Sequence, residues 1–142
     1  MEQLDNLVKI GELRHEAPDQ REVDNLLKSG QHQLKDASVA GLSVEGRFSL
    51  AYGAAHAFAV AAMRWHGYRS SNRHLVFKCL QYTLGIENAK WRILDECHRQ
   101  RNLAEYQGHL DIPDQLLQEL LGIAKELSSL LQALGPVRVN NQ

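Results

Sequence analysis

The chain contains 142 residues, of which 44% are hydrophobic and 23% are charged, a composition typical of an ordinary globular domain. Its formal net charge of −1 excludes a general basic field, so any binding of nucleic acid would need a local basic patch. We therefore expect one domain spanning residues 1–142, without a linker or an internal repeat.

The N-terminus and the cysteines predict a reduced, cytoplasmic protein. Charged residues from Glu2 and Asp5 onward are not typical of a secretory signal peptide. The longest weakly polar stretch, residues 50–63, is too short to cross a bilayer and consists mainly of alanine, so no membrane contact is expected. Cys79 and Cys97 lie in apolar helical patterns and form no CxxC pair, so we expect buried free thiols.

The first half of the chain predicts three helices. A short helix from Glu2 to about Leu13 lies within an N-terminal segment, residues 1–18. Asp19 and Glu22 resemble a capping box at the start of the second helix, in which each side chain accepts from a free backbone N–H. Ser43 is a good N-cap for a third helix that ends near residue 66; it is apolar on nearly every face, so we expect it to be central.

The second half predicts a polar turn, residues 67–73, and three further helices. The fourth helix extends to about residue 84, the fifth covers residues 87–107, and the sixth begins near Asp111, an N-cap followed by Pro113. The sixth helix has a coiled-coil-like stripe formed by Leu116, Leu120, Ile123, Leu127, Leu130 and Leu134.

Together these patterns predict an all-α fold, helical throughout, because no run of alternating β-branched residues occurs. The expected architecture is an up-and-down four-helix bundle with additional short helices. Residues 136–142 are expected to form a loose tail after the last helix.

The most informative polar side chains lie near the end of the fifth helix: His98, Arg101, Asn102, Glu105 and Tyr106. Residues three or four apart share one helix face. Arg101 can present a planar fork to a phosphate, and a histidine can shuttle a proton near neutral pH. Tyr106 could donate a hydrogen bond, stack on a base or accept a covalent modification.

The same helix also permits a purely structural interpretation. Arg101 with Glu105, and Asp95 with Arg99, have the spacing of intrahelical ion pairs, each worth roughly a few tenths of a kcal/mol. In that case the polar face is solvated and binds nothing.

A metal or cofactor site is not predicted. His98, Asn102, Glu105 and His109 could be drawn as ligands, but the chain has no HExxH pair and no glycine-rich cofactor loop. Three further histidines are expected to have structural roles. We expect His56 to be a hydrogen-bonded core residue, and His66 and His74 to stiffen the turn at Gly67.

Two separated segments resemble the HEPN domain family (higher eukaryotes and prokaryotes nucleotide-binding). The stretch AYGAAHAFAVAAMRWHGYRSSNRHLVFKCL is similar to the second-helix region of these domains. Tyr52, Gly67 and His74 occupy the places of the family's tyrosine, glycine turn and helix-opening histidine. The segment RNLAEYQG, residues 101–108, is similar to the family's Arg-Asn motif. The resemblance covers residues 47–134.

The resemblance implies a helical bundle, like that of nucleotidyltransferase substrate-binding proteins, which forms a two-fold homodimer with the Arg motifs in one cleft. Many members are metal-independent ribonucleases and toxins of toxin–antitoxin or defence systems. Others pair with a minimal nucleotidyltransferase, which attaches nucleotides to a motif tyrosine. Arg101 matches the phosphate-binding arginine, Asn102 matches the polar residue after it, and Tyr106 falls where nuclease members have a histidine.

That last difference leaves two functions open, since tyrosine is a poor base at neutral pH. In the first, the protein binds RNA or a nucleotide and cleaves RNA without a metal. Arg101 would then hold the phosphate, His98 or Glu105 would move protons, and Asn102 would orient the reacting group. In the second, the protein is a non-catalytic adaptor of a nucleotidyltransferase antitoxin. It would dimerise through the fifth helix or the leucine stripe of the sixth, and Tyr106 would be the modified residue.

Overall fold

A computed structural model describes residues 1–109 and 111–138 of the chain. These residues form seven α-helices and two short strands, in the order α1 (Glu2–Lys9), β1 (Arg14–His15), α2 (Gln20–Ala37), α3 (Val44–Trp65), β2 (Tyr68–Arg69), α4 (Arg73–Lys78), α5 (Leu80–Thr83), α6 (Asn88–Gln107) and α7 (Asp114–Ala133). The fold is mostly helical, which confirms the all-α prediction. Of the predicted loose tail, residues 139–142 lie outside the described part.

The strand pair is one point at which the prediction of helix throughout is wrong. β1 and β2 pair antiparallel, with Arg14 opposite Arg69 and His15 opposite Tyr68. Two-residue strands contain no alternating pattern, so the sequence gives no signal for them. The pair joins the N-terminal segment to the chain just after α3, where Gly67 turns with a φ of 88°.

α3 is the central helix, as its apolar character predicted. It packs most extensively against α2 and α7. Its buried side chains include Phe48, Tyr52, Phe58 and Met63, which belong to a core cluster shared with the other helices. Although α3 is rich in alanine, no helix among the described residues combines the length and hydropathy that a bilayer crossing requires.

Glycines bring α2 and α3 close together. Gly30 of α2 lies against the Phe58 ring of α3, and an added Cβ there would collide with the ring. On the other side of the interface, Gly53 of α3 lies against the Gln33 side chain of α2. Gly53 therefore permits the close approach of the two helices.

The predicted capping box at the start of α2 forms only in part. The Asp19 carboxylate accepts backbone N–H bonds from the first turn at 2.9 and 3.4 Å, as predicted. Glu22 does not complete the box. Its carboxylate instead accepts hydrogen bonds from Arg64 at 2.6 Å and from Arg69 at 2.7 Å. A buried guanidinium requires a charged partner, which explains why Glu22 turns away from the helix end.

Arg64 fixes the N-terminal segment to the end of α3. Its side chain is only 2% exposed and donates to the backbone carbonyls of Glu16, Ala17 and Tyr68. Burial alone would raise the pKa of Glu22, but the hydrogen bonds from Arg69 and Arg64 outweigh it and leave that pKa below its usual value. The carboxylate therefore stays ionised and neutralises the guanidinium.

Two boundaries in the second half differ from the prediction. The predicted fourth helix is two short helices, α4 and α5, which meet at Cys79. Pro113, and not Asp111, occupies the N-cap position of α7. By contrast, α6 ends at Gln107, where the predicted range ends, and Gly108 follows it with a left-handed φ of 76°.

The leucine stripe of α7 faces the interior of this chain. Leu120 and Leu127 are fully buried and Ile123 nearly so, in the core that α7 shares with α3. The stripe is therefore occupied by the chain's own helices. Leu116, Leu130 and Leu134 are half-buried against the same core, so the predicted dimerisation through this stripe stays a prediction.

Both cysteines are buried and unbonded, which confirms the sequence-based prediction. Burial raises the pKa of Cys79 to about 11 and that of Cys97 to about 12. Both thiols are therefore protonated at neutral pH and act as small apolar core residues.

Candidate functional site

The polar face of α6 lines an open cleft of about 430 Å³. Its lining comes from α3, from the start of α4 and from α6, and consists of Tyr52, Ser71, Arg73, His98, Arg101, Asn102 and Glu105. Four of the five predicted site residues are thus brought together. Tyr106 is not among them.

Two arginines flank one buried tyrosine at this cleft. The guanidinium carbon of Arg101 lies 4.9 Å from the Tyr52 ring centroid, and that of Arg73 lies 5.7 Å from it. Both distances are within the range of cation–π contact. Among the described residues, no carboxylate oxygen lies within 4.0 Å of either guanidinium. The cleft therefore has two positive charges that no ion pair neutralises.

A chain of hydrogen-bonding groups connects the three elements. Arg73 Nη1 donates to the Tyr52 hydroxyl at 3.3 Å, and that hydroxyl lies 3.0 Å from His98 Nδ1. On the other side of the imidazole, Nε2 lies 3.3 Å from Nδ2 of Asn102. The Tyr52 and His98 rings are nearly parallel, with 12° between their planes. His98 is therefore held at both nitrogens.

The surroundings of His98 favour its neutral form. Burial lowers the pKa of His98; Asp95 opposes this, while Arg73, His74 and Arg101 lower the pKa further. A neutral imidazole carries one donor and one acceptor nitrogen, so its role depends on which nitrogen holds the proton.

His56 lies one helical turn after Tyr52 on α3. It is half-buried and meets the Phe77 ring edge-on, with 5.9 Å between the ring centroids. Within residues 1–109 and 111–138 its ring has no hydrogen-bond partner, so the predicted hydrogen-bonded core role is wrong. Burial lowers the pKa of His56 to about 4, and the charges of Arg73 and Arg101 contribute.

The ion pairs of α6 differ from those predicted by spacing. Arg99 binds Glu96, one turn earlier, at 2.6 Å. Asp95 instead contacts His74 of α4, with 2.7 Å between Oδ1 and Nδ1. His74 is thus part of the α4–α6 contact, and not of the turn at Gly67 where we expected it. The predicted Arg101–Glu105 pair is also absent from the described part of the chain, which leaves Arg101 available to a ligand.

Tyr106 and His109 lie outside this cleft. Tyr106 is 91% exposed, because five residues after Arg101 correspond to a rotation of about 140° around the helix. His109 follows the end of α6 and lines a neighbouring cleft of about 440 Å³ with Glu45 of α3. Arg101 and Glu105 line both clefts, so the two are continuous along α6.

A further cleft beside α2 is larger, about 530 Å³, and two of its four charged side chains are paired with each other. Its lining includes Glu22 and Arg69, whose side chains bond one another at 2.7 Å. Charges that neutralise each other leave little electrostatic attraction for a ligand. Arg21 is its only cation without an ion pair among the described residues, whereas the cleft on α6 has two, so we regard the cleft on α6 as the better candidate.

Sequence reasoning missed Arg73 and Ser71 as site residues, and assigned Tyr52 only a place in a family pattern. Arg73 is separated from Arg101 by 28 positions of sequence, so no helical spacing connects the two. The available signal was Tyr52, a side chain with a polar tip within an alanine-rich buried helix, since buried tyrosine hydroxyls usually have a partner.

Within the described residues, no three His, Cys, Asp or Glu side chains are grouped closely enough to hold a metal ion.

No protein-family model, curated protein or solved structure gives a significant match to the chain. The HEPN resemblance therefore rests on the sequence motifs alone.

Proposed function

We propose that the cleft formed by Tyr52, Arg73, His98, Arg101 and Asn102 binds a phosphate group of RNA or of a nucleotide. The main support is the pair of guanidiniums, Arg73 and Arg101, which face one cleft without a carboxylate within 4.0 Å among the described residues. Guanidiniums bind phosphate oxygens in a bidentate manner, and two of them provide the local basic patch that the net charge makes necessary.

The reaction that we propose for this site is metal-independent cleavage of RNA, as the HEPN resemblance implies. The 2′-oxygen attacks the adjacent phosphorus, the bond to the 5′-oxygen breaks, and the leaving oxygen takes up a proton. Arg73 and Arg101 would stabilise the charge that develops on the phosphoryl oxygens. Glu105 lines the same cleft and supplies a carboxylate that can accept the 2′-hydroxyl proton.

The four-helix bundle and the two-fold dimer of HEPN proteins are part of the same proposal. We place the second copy on α6, because Leu103 and Tyr106 are exposed there, whereas the leucine stripe of α7 is buried or half-buried within the chain. Tyr106 lies about 140° around α6 from Arg101, so a contact through Leu103 and Tyr106 would leave each arginine cleft open to a ligand and would not join the two clefts. Such a dimer would suit a toxin of a defence system.

Replacement of the arginines tests the proposed phosphate site. Arg101→Ala and Arg73→Ala are each expected to weaken binding of a labelled single-stranded RNA by about tenfold, the loss of one charge-assisted contact. Fluorescence anisotropy in EDTA measures the affinity, and gel analysis of the same samples measures cleavage. Arg99→Ala is the matched control, because Arg99 lies on the same helix but pairs with Glu96.

The outcomes separate the components of the proposal. Equal RNA affinities for Arg101→Ala and Arg99→Ala would remove this cleft as the binding site. Binding without cleavage in EDTA would retain the phosphate site and reject the ribonuclease. Cleavage that requires a divalent metal would contradict the proposed mechanism.

The exposure of Tyr106 supports a second function, that of a non-catalytic partner of a minimal nucleotidyltransferase. With 91% of its surface accessible, the phenol can enter the active site of another enzyme. Its oxygen would attack the α-phosphorus of a nucleoside triphosphate, forming a phosphodiester and releasing pyrophosphate.

Co-expression with such an enzyme, followed by intact-mass measurement, tests this second function. A mass increase of one or more nucleotides is expected, and Tyr106→Phe should abolish it. Tyr82→Phe serves as the control, since Tyr82 is half-buried on α5. An unchanged mass for the unaltered chain would reject the modification.

A further inference from the structure

The Tyr52 hydroxyl lies between a group that can only donate and a ring nitrogen that can do either. Arg73 Nη1 lies 3.3 Å from the hydroxyl oxygen, and a guanidinium has no acceptor, so the oxygen accepts this bond. His98 Nδ1 lies 3.0 Å from the same oxygen. If Nδ1 carried a proton, it would also donate to this oxygen. The phenolic hydrogen would then lack an acceptor among the described residues.

The contact on the other side of His98 favours the opposite arrangement. Nδ2 of Asn102 lies 3.3 Å from Nε2, which by itself would favour an unprotonated Nε2. However, Asn102 is exposed, so its amide can turn over and present Oδ1 while water satisfies the rest. Tyr52 is fully buried, and a buried hydroxyl without an acceptor costs about 1–3 kcal/mol. The buried hydroxyl therefore decides the arrangement.

We propose that Tyr52 is a positioning residue that fixes His98 in the tautomer with its proton on Nε2. This rests on the proposed phosphate site and adds a role for a residue outside α6. The hydrogen bonds then all run in one direction: Arg73 donates to the Tyr52 hydroxyl oxygen, the Tyr52 hydroxyl donates to His98 Nδ1, and His98 Nε2 donates to the Asn102 carbonyl oxygen. The Asn102 NH₂ group is left facing the cleft.

This direction gives the cleft the character of an anion site. Arg73, Arg101 and the Asn102 NH₂ group all present N–H donors to the ligand, which matches the acceptor oxygens of a phosphodiester. It also excludes His98 as the base, since Nδ1 is occupied by Tyr52 and Nε2 already carries a proton. Of the two candidates from the sequence, His98 and Glu105, only Glu105 remains as the proton acceptor for cleavage.

Nitrogen NMR of the unliganded, ¹⁵N-labelled protein at pH 7.5 tests the tautomer directly. For His98 we expect a pyrrole-type Nε2 and a hydrogen-bonded pyridine-type Nδ1. Tyr52→Phe should shift Nδ1 toward the free pyridine-type position and mix the two tautomers. Arg73→Ala should also mix them, because water in the space that the guanidinium leaves can then accept the phenolic hydrogen while Nδ1–H donates to the Tyr52 oxygen. Tyr82→Phe should leave the His98 signals unchanged.

Two results would overturn the proposal: a protonated Nδ1 in the unaltered protein, or an unchanged His98 pattern in both Tyr52→Phe and Arg73→Ala. Arg73 is exposed, so Arg73→Ala still tests the tautomer if Tyr52→Phe does not fold. RNA affinity is expected to fall about fivefold in Tyr52→Phe, the loss of one oriented hydrogen bond. If the unaltered protein binds no RNA, the phosphate site fails, whereas the nitrogen signals still decide the role of Tyr52.

Discussion

At the residue scale, His56 shows how the charges of the cleft affect a nearby group. The imidazole is half-buried next to the Phe77 ring. Burial lowers its pKa from 6.5 to about 4, and Arg73, Arg101 and His98 contribute. The folded protein therefore keeps His56 neutral at a pH at which an unfolded chain would protonate it.

This difference predicts a loss of stability in mild acid. Between pH 6.5 and about 4 the unfolded state binds a proton at His56 that the folded state does not, so the free energy of unfolding falls as the pH falls. We expect a loss of about 1 kcal/mol from pH 7 to pH 5 on account of His56, allowing for its partial exposure. Urea unfolding at the two pH values measures it.

His56→Gln should reduce this pH dependence, whereas His32→Gln, at an exposed position of α2, should not. Measurement at pH 5 and above limits the contribution of Glu16 and Glu22, whose lowered pKa values matter in stronger acid. His66, whose pKa is also lowered by burial, keeps its own share in both variants. Equal pH dependence in the two variants would contradict the assignment to His56.

At the element scale, the interface between α2 and α3 depends on small residues. Gly30 is buried and occupies the space next to the Phe58 ring, whereas Gly122 of α7 is exposed with nothing within 4 Å of an added Cβ. Both glycines lie inside helices, where glycine is intrinsically unfavourable by about 1 kcal/mol relative to alanine. An alanine at Gly122 therefore changes only helix propensity, whereas an alanine at Gly30 changes helix propensity and core packing together.

Alanine substitution at the two positions should have opposite effects. Gly30→Ala is expected to lower the free energy of unfolding by about 1–3 kcal/mol, because the Phe58 ring must move within a packed core. Gly122→Ala is expected to raise it by up to about 1 kcal/mol, through the unfolded state. Thermal unfolding of both variants measures the difference. A stabilising Gly30→Ala would show that α2 and α3 are packed less closely than the structure indicates.

α6 carries the candidate site because it buries little of its own surface. Of its 20 residues, Leu94 and Cys97 are fully buried, while the positions around Arg101 are half-buried or exposed. A helix attached by a narrow apolar stripe leaves most of its circumference for polar side chains. The contact between His74 and Asp95 helps to hold α4 against this helix and keeps Arg73 near Arg101.

At the scale of the whole molecule, the net charge of −1 provides no general attraction for RNA, so the proposed binding depends on a local group of charges. If Arg73 and Arg101 are the phosphate contacts, the logarithm of the association constant should fall with the logarithm of salt concentration with a slope of about −1.4. Anisotropy titrations between low and physiological salt measure this slope.

The variants sharpen the same measurement. Arg101→Ala or Arg73→Ala should make the slope shallower by about 0.7, whereas Arg99→Ala should leave it unchanged. A slope steeper than about −3 in the unaltered protein would indicate more phosphate contacts than this cleft provides, and would place the RNA on a broader surface.

The sequence by itself determined the helical class, the central position of α3, the Asp19 and Ser43 caps and the end of α6 at Gly108. These features depend on local rules, since apolar periodicity, N-cap side chains and a left-handed glycine act within a few residues of one another. The placement of His98, Arg101, Asn102 and Glu105 on one cleft followed from helical spacing alone.

Only the tertiary structure decided which charges are paired and which remain available. Glu22 accepts a hydrogen bond from Arg64 instead of completing the capping box, and Asp95 contacts His74 instead of Arg99. In both cases the carboxylate binds a group on another element. The meeting of Arg73 and Arg101 over Tyr52 likewise depends on how α3, α4 and α6 pack. Spacing within one helix cannot predict such contacts, because competition between partners is settled by residues that are distant in sequence.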